Sequence, residues 1–165
     1  MRIDIDKAVR TYADMVLRLA VVNTNNRTEA EDIFQEVFLK LIRYQDSITS
    51  EEHLKAWLIR VTINQSHSHT GSFWNKFTGG FNDKVELKDE KAEEELYGME
   101  ATSDVTRAVM ALPLKYRRVI HLFYYEEFSV KEIAEILNEK EATVKTHLAR
   151  GRKLIENKIG EVYEL

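Results

Sequence analysis

The sequence predicts an all-α protein built from two small helical domains joined by an acidic linker. One proline and six glycines in 165 residues leave long stretches without helix breakers, and little of the chain alternates apolar with polar residues as a strand would. Apolar residues recur instead at steps of three and four, the spacing of a helix face. Charge is unevenly spread. Residues 1–77 hold ten Lys or Arg against ten Asp or Glu, residues 78–104 three against nine, and residues 105–165 eleven against nine. The net charge of −4 therefore belongs to the middle of the chain, which leaves either flank free to be locally basic.

With 44% hydrophobic and 32% charged residues, the composition is that of a soluble globular protein. No apolar run approaches the roughly 18 residues that a membrane span needs, and the amino end carries no signal-peptide pattern, so no membrane insertion is expected and the cytoplasm is the expected location. The absence of cysteine excludes disulfide frameworks, thiolate nucleophiles and cysteine zinc sites.

In the first domain, residues 1–77, Ile5, Ala8, Val9, Tyr12, Met15, Val16 and Leu19 form one apolar stripe on a first helix. "NTNNRT" breaks it. Thr28 and Glu31 have the spacing of a capping box for a second helix that runs to about Tyr44, buries Ile33, Phe34, Val37, Phe38 and Leu41, and shows Asp32, Gln35 and Glu36 on its other side. A third helix is expected from Ser50, with Leu54, Trp57, Leu58 and Val61 inward and an end near Gly71 and "SFWNKF". His53, Arg60, Asn64 and His67 share another side of it. On residue spacing alone that ridge reads as the wet side of a helix. His67 and His69 point apart on a helix and have no third ligand at a suitable spacing, so no metal or other cofactor is expected.

Residues 78–104, "TGGFNDKVELKDEKAEEELYGMEATSD" with its first residue Thr78, open on a glycine pair and carry few periodic apolar residues. A solvated linker and a short charged helix over Lys88 to Met99 are equal readings.

The second domain, residues 105–165, is the most informative. Pro113 suits the start of a helix, and Val119, Ile120, Leu122 and Phe123 follow as core. Ser129 and Glu132 form a capping box for a short helix carrying Ile133, Ala134, Ile136 and Leu137. Asn138 tolerates the left-handed backbone of a tight turn, and a further helix begins near Glu141 with Val144, Leu148, Gly151 and Ile155 inward. Cap, turn, small residue at the crossing and basic last helix occur in the order of a helix-turn-helix. Lys145, Thr146, Ala149, Arg150 and Lys153 then fall on the outward side, where cations neutralise phosphates and small side chains meet base edges.

These residues carry a resemblance that covers nearly the whole chain. "AEDIFQEVFLKLIR", "HLKAWLIRVTIN" and "LPLKYRRVIHLFYYEEFSVKEIAEILNEKEATVKTHLARGRKLI" resemble the bacterial extracytoplasmic-function sigma factors, two-domain initiation factors of RNA polymerase. The resemblance implies that Asp32, Gln35 and Glu36 engage the clamp helices of the largest polymerase subunit, with the flap of the second-largest as a further contact. It implies that Arg60, Asn64, His53 and His67 face the minus ten element, with Asn64 holding a flipped base, Arg60 meeting the strand's backbone and residues 46–53 shaping the pocket. Trp57 is expected in the core. Lys145, Thr146, Ala149, Arg150 and Lys153 would read the minus thirty-five element. It further implies promoter DNA and an anti-sigma protein as partners, the latter able to hold the chain at the membrane, with the acidic linker threading toward the polymerase channels. Three features depart from the family pattern: "QSHSHTGS" follows Asn64 where charged residues are frequent, Lys140 stands where Ser, Thr or Pro often precedes the recognition helix, and Glu139 takes a usually apolar turn position. The rival reading is a conventional dimeric helix-turn-helix regulator. An enzyme is disfavoured, because Asp32 and Glu36 face the same way but no nucleophile elbow, phosphate loop or metal-ligand spacing accompanies them.

Overall fold

A computed structural model describes the backbone of residues 2–78 and 103–163 and the side chains of residues 2–68 and 103–160. The acidic segment, with its competing helix over Lys88 to Met99, falls almost wholly outside the described residues, as do the side chains of His69, Phe73 and Trp74. The described residues are helical and contain no strand. They belong to two compact units, Met1–Asp89 and Glu90–Leu165, and among the described residues no helix is long and apolar enough to cross a membrane.

The first unit packs α1 (Ile5–Thr24), α2 (Arg27–Tyr44) and α3 (Glu51–Thr78) each against the other two. Asp4 caps α1 by accepting from the Lys7 amide. Its stripe buries Ala8, Met15, Val16 and Leu19, after which every residue from Ala20 to Asn25 is buried. Helix α1 therefore ends inside the core, where its polar side chains are satisfied in part: Asn23 Nδ2 donates to Leu19 O at 2.8 Å and Thr24 Oγ1 to Ala20 O at 2.7 Å, while Asn23 Oδ1 and Asn25 Oδ1 are enclosed without a partner. Asn25 takes the left-handed conformation, φ 51°, one that asparagine adopts more readily than most residues.

Two expectations are corrected at the helix ends. Helix α2 starts earlier than the Thr28–Glu31 box implies, because Asn26 Oδ1 already accepts from the Glu29 amide at 3.0 Å, while Glu31 pairs with Arg27 at 2.9 Å. Helix α3 does not stop near Gly71; its backbone continues to Thr78. Its inward side is also turned from the expected one. Leu54 and Leu58 are buried as expected, joined by Ile59, Thr62, Ile63 and Ser66, whereas Trp57 and Val61 are half-buried. The hydroxyls of Thr62 and Ser66 enter the core because each bonds back to its own helix, to Leu58 O at 2.6 Å and Thr62 O at 2.7 Å.

In the second unit, α4 (Asp104–Met110) and α5 (Leu114–Ile120) lie against the long last helix, α7 (Glu141–Tyr163). Pro113 stands immediately before α5. Past Ile120 the chain widens into a π turn, His121–Tyr125, where buried His121 Nε2 lies 2.8 Å from Glu126 Oε2 and its ring stacks on Tyr125. Helix α6 (Val130–Leu137) follows. Arg117, 1% exposed, donates to Leu112 O at 2.9 Å and so pins the α4–α5 corner from inside.

Candidate functional site

Three polar faces collect the residues singled out above. The best defined is on α7. Ser129 Oγ accepts from the Glu132 amide at 3.1 Å, and Glu132 Oε1 accepts from the Ser129 amide at 3.0 Å, a complete capping box on α6. Asn138 closes α6 at φ 54°. Its left-handed backbone brings the Glu139 amide to Ala134 O at 2.9 Å and turns the chain into α7. There Val144, Leu148 and Gly151 are buried, and Ile155 is half-buried. A Cβ on Gly151 would lie 2.9 Å from Ile120 Cγ1, so α7 crosses α5 at a distance that only glycine allows. With that side fixed inward, Lys145, Thr146, Ala149, Arg150 and Lys153 are all exposed. Arg152 extends the same cationic surface; it is exposed and donates from Nη1 to Tyr124 Oη at 3.0 Å. Residue spacing did not single it out, because its link to Tyr124 spans 28 positions.

Beneath this face lies a cluster of titratable groups at the turn. Arg118 Nη2 of α5 donates to Glu139 Oε1 at 3.1 Å, and His147 Nδ1 of α7 stands 3.9 Å from Glu139 Oε2. Burial lowers the Arg118 guanidinium from its ordinary value, which Glu139 partly offsets. Burial also lowers His147; Glu139 opposes that shift, while Lys115, Arg118 and Arg150 add to it.

On α2, Asp32 and Gln35 are exposed and Glu36 is half-buried, its Oε2 accepting from Gln65 Nε2 of α3 at 3.1 Å. Leu39 and Ile42 share this side, and although large and apolar they are 63% and 50% exposed. Sequence reasoning passed over them. Their signal was the run of three- and four-residue steps from Asp32 through Gln35 to Leu39 and Ile42.

On α3, His53, Arg60, Asn64 and His67 are exposed. The preceding loop is anchored by Ile48, 1% exposed. His53 Nδ1 accepts from the Thr49 amide at 3.1 Å, and the His53 amide donates to Ser50 Oγ at 3.0 Å. The imidazole is thereby held at the loop–helix junction. Tyr12 Oη of α1 donates to Glu51 Oε2 at 3.2 Å beside it. Burial first, then the Glu51 charge, raise that phenol above its ordinary value. Trp57 is half-buried rather than a core residue. Among the described residues, no three His, Cys, Asp or Glu side chains gather to hold a metal ion.

A helix-turn-helix unit with a basic outward edge, and a separate three-helix unit with polar and apolar side chains exposed together, define a two-part helical DNA-binding protein. Comparison with known proteins specifies the class. Residues 8–71 match the family model "Sigma-70 region 2" and residues 103–155 match "Sigma-70, region 4". The chain is 28% identical over 164 residues to the ECF RNA polymerase sigma factor SigW of Bacillus subtilis, covering 93% of this chain and 88% of that one. It is 30% identical over 145 residues to the RNA polymerase sigma factor SigV of the same organism, covering 84% and 80% respectively. Among solved structures it resembles the sigma factor RpoE of Bartonella quintana, described in a co-crystal with the anti-sigma factor NepR, with a TM-score of 0.71, 23% identity and coverage of 93% of this chain and 95% of that one. The chain belongs to the sigma-70 family, in the extracytoplasmic-function group, and is a sigma factor directing transcription. The family consists of non-catalytic initiation factors. A conventional dimeric regulator is not favoured.

Proposed function

We propose that the chain binds core RNA polymerase through the α2 face and reads promoters with its other two faces. In this reading, residues 1–77 hold the polymerase and the minus ten element, residues 78–104 link, and residues 105–165 bind the minus thirty-five element. The observation that carries it is the division of α7, with Val144, Leu148 and Gly151 buried while Lys145, Thr146, Ala149, Arg150 and Lys153 are exposed. Duplex DNA is met by such a helix through phosphate neutralisation and groove contacts.

Asp32, Gln35 and Glu36 supply polar contacts to the clamp helices of the largest subunit, and exposed Leu39 and Ile42 supply the apolar centre that a protein interface requires. The flap of the second-largest subunit is the contact of the second unit. His53, Arg60, Asn64 and His67 line the path of the opened strand. A base leaves the stack only where replacement hydrogen bonds and stacking await it. Affinity for the opened strand then draws the equilibrium toward opening, with no covalent step by this chain. Such a factor works in the bacterial cytoplasm. The sigma factor RpoE was solved with an anti-sigma protein, which supports a comparable inhibitor here, seated on α2 or α7 and able to hold the chain at the membrane.

Run-off transcription with core polymerase, followed by sequencing of the start sites, tests this reading. Start sites sharing two spaced elements are expected, and Glu36→Lys should abolish polymerase association. Unchanged affinity in that variant would remove α2 from the interface.

A further inference from the structure

The turn that leads into α7 places one carboxylate between two helices. Glu139 Oε1 is held by Arg118 of α5 at 3.1 Å. Its Oε2 faces Nδ1 of His147, on α7, at 3.9 Å. That separation is too long for a hydrogen bond, yet both atoms are enclosed and neither has a hydrogen-bond partner. Unpaired buried polar atoms are costly. These two are complementary when Nδ1 carries the imidazole proton, and a movement of about one ångström brings them to bonding distance. The imidazole is braced from its other side by an edge-on contact with Tyr116 of α5, centroids 5.5 Å apart. His147 lies between the exposed pairs Lys145–Thr146 and Ala149–Arg150, so whatever fixes its ring fixes their direction.

We propose that Glu139 is a positioning residue for duplex binding: anchored by Arg118, it sets the roll of α7 through His147 and so aims Lys145, Thr146, Ala149 and Arg150. The inference rests on α7 being the duplex-facing helix. It runs against the charge effect alone, since removing a carboxylate beside a duplex-binding helix strengthens binding to every sequence.

The test uses the full chain with bacterial core RNA polymerase, a promoter duplex selected from a randomised pool, and a scrambled duplex of equal length. Glu139→Ala and His147→Phe are each expected to weaken the selected duplex about ten-fold and to leave the scrambled one unchanged or tighter, and the double variant should lose no more than either single one. His147→Asn, whose amide supplies a donor near the place of Nδ1, should keep most of the affinity. Imidazole nitrogen shifts in the free chain should put the neutral His147 proton on Nδ1. Additive losses, parallel changes on both duplexes, or a proton on Nε2 would each overturn the proposal. If Glu139→Ala does not fold, Glu139→Gln replaces it, since glutamine puts an NH2 in place of one carboxylate oxygen and so sets a donor against either Arg118 or His147, and the same selective loss is expected. Lys145→Ala with Arg150→Ala is the control. If these leave both duplexes unaffected, the reading of α7 fails and the inference with it; if they respond and the Glu139 variants do not, the inference alone fails.

Discussion

At the scale of single residues, the second unit encloses large polar side chains. Arg117 and His121 are fully buried, each beside a local partner, Leu112 O and Glu126. His147 is the one whose titration has a direct reading. Burial holds its imidazole below the ordinary value of 6.5, so the unfolded chain takes up the proton first as the pH falls. The stability that His147 contributes is therefore complete above about pH 6.5 and is lost as the pH falls from there through the lower folded value. Urea unfolding of the wild type and His147→Phe at several values from pH 8 to pH 5 should give curves that diverge below neutrality, the wild type losing more. Parallel curves would mean that the imidazole is free to charge in place.

At the scale of elements, two features of the second unit predict measurable losses. Ser129→Ala removes the hydroxyl that accepts from the Glu132 amide and should cost about 1 kcal/mol in calorimetry of the full chain. Gly151→Ala gains about 1 kcal/mol of helix propensity but sets a methyl 2.9 Å from Ile120 Cγ1. Ile120 is itself 2% exposed and has nowhere to retreat. Overpacking of this kind costs about 1–3 kcal/mol, so a net loss of up to about 2 kcal/mol is expected. The cap was legible in the sequence because Ser129 and Glu132 lie within one helical turn, whereas spacing placed Gly151 inward without naming Ile120, a neighbour from a distant part of the chain. The cap of α2 was misread because two adjacent asparagines compete with Thr28: Asn25 turns the chain and Asn26 caps the helix. The inward side of α3 was misjudged because Thr62 and Ser66 look polar in sequence while their hydroxyls are spent on their own helix. The π turn gave no local signal, since it joins an aromatic run to a His–Glu pair five residues apart. Among candidate site residues, the outward set on α7 could be read from its apolar complement. Leu39 and Ile42 carry only a weaker signal, their register with Asp32 and Gln35, which is overridden because an apolar residue in an amphipathic helix is ordinarily assigned to the core.

At the scale of the whole molecule, the net charge of −4 and the basic edge of α7 coexist because salt screens exposed charges beyond roughly 8 Å at physiological ionic strength. In the proposed reading, duplex binding then depends on the cations of α7 rather than on the sum. Each of Lys145→Ala and Arg150→Ala should weaken binding to selected and scrambled duplexes alike and flatten the log–log salt slope by about 0.9 where the lost cation neutralised one phosphate. The α2 face belongs to a different unit and should respond differently. Leu39→Asp puts a charge where an apolar contact is proposed, and interface centres of this kind typically lose more than about 1 kcal/mol on truncation. It should therefore weaken polymerase association at least about five-fold, without altering the salt slope of the free chain on duplex DNA or its thermal unfolding, since Leu39 is 63% exposed. Polymerase association is measured by competition against a labelled wild-type chain, and the salt slope by titration of one labelled duplex. If Leu39→Asp altered both readouts, the two faces would be coupled and the division of labour between the units would be wrong. If it altered neither, the exposed leucine would be an ordinary surface residue and the polymerase contact would rest on Asp32, Gln35 and Glu36 alone.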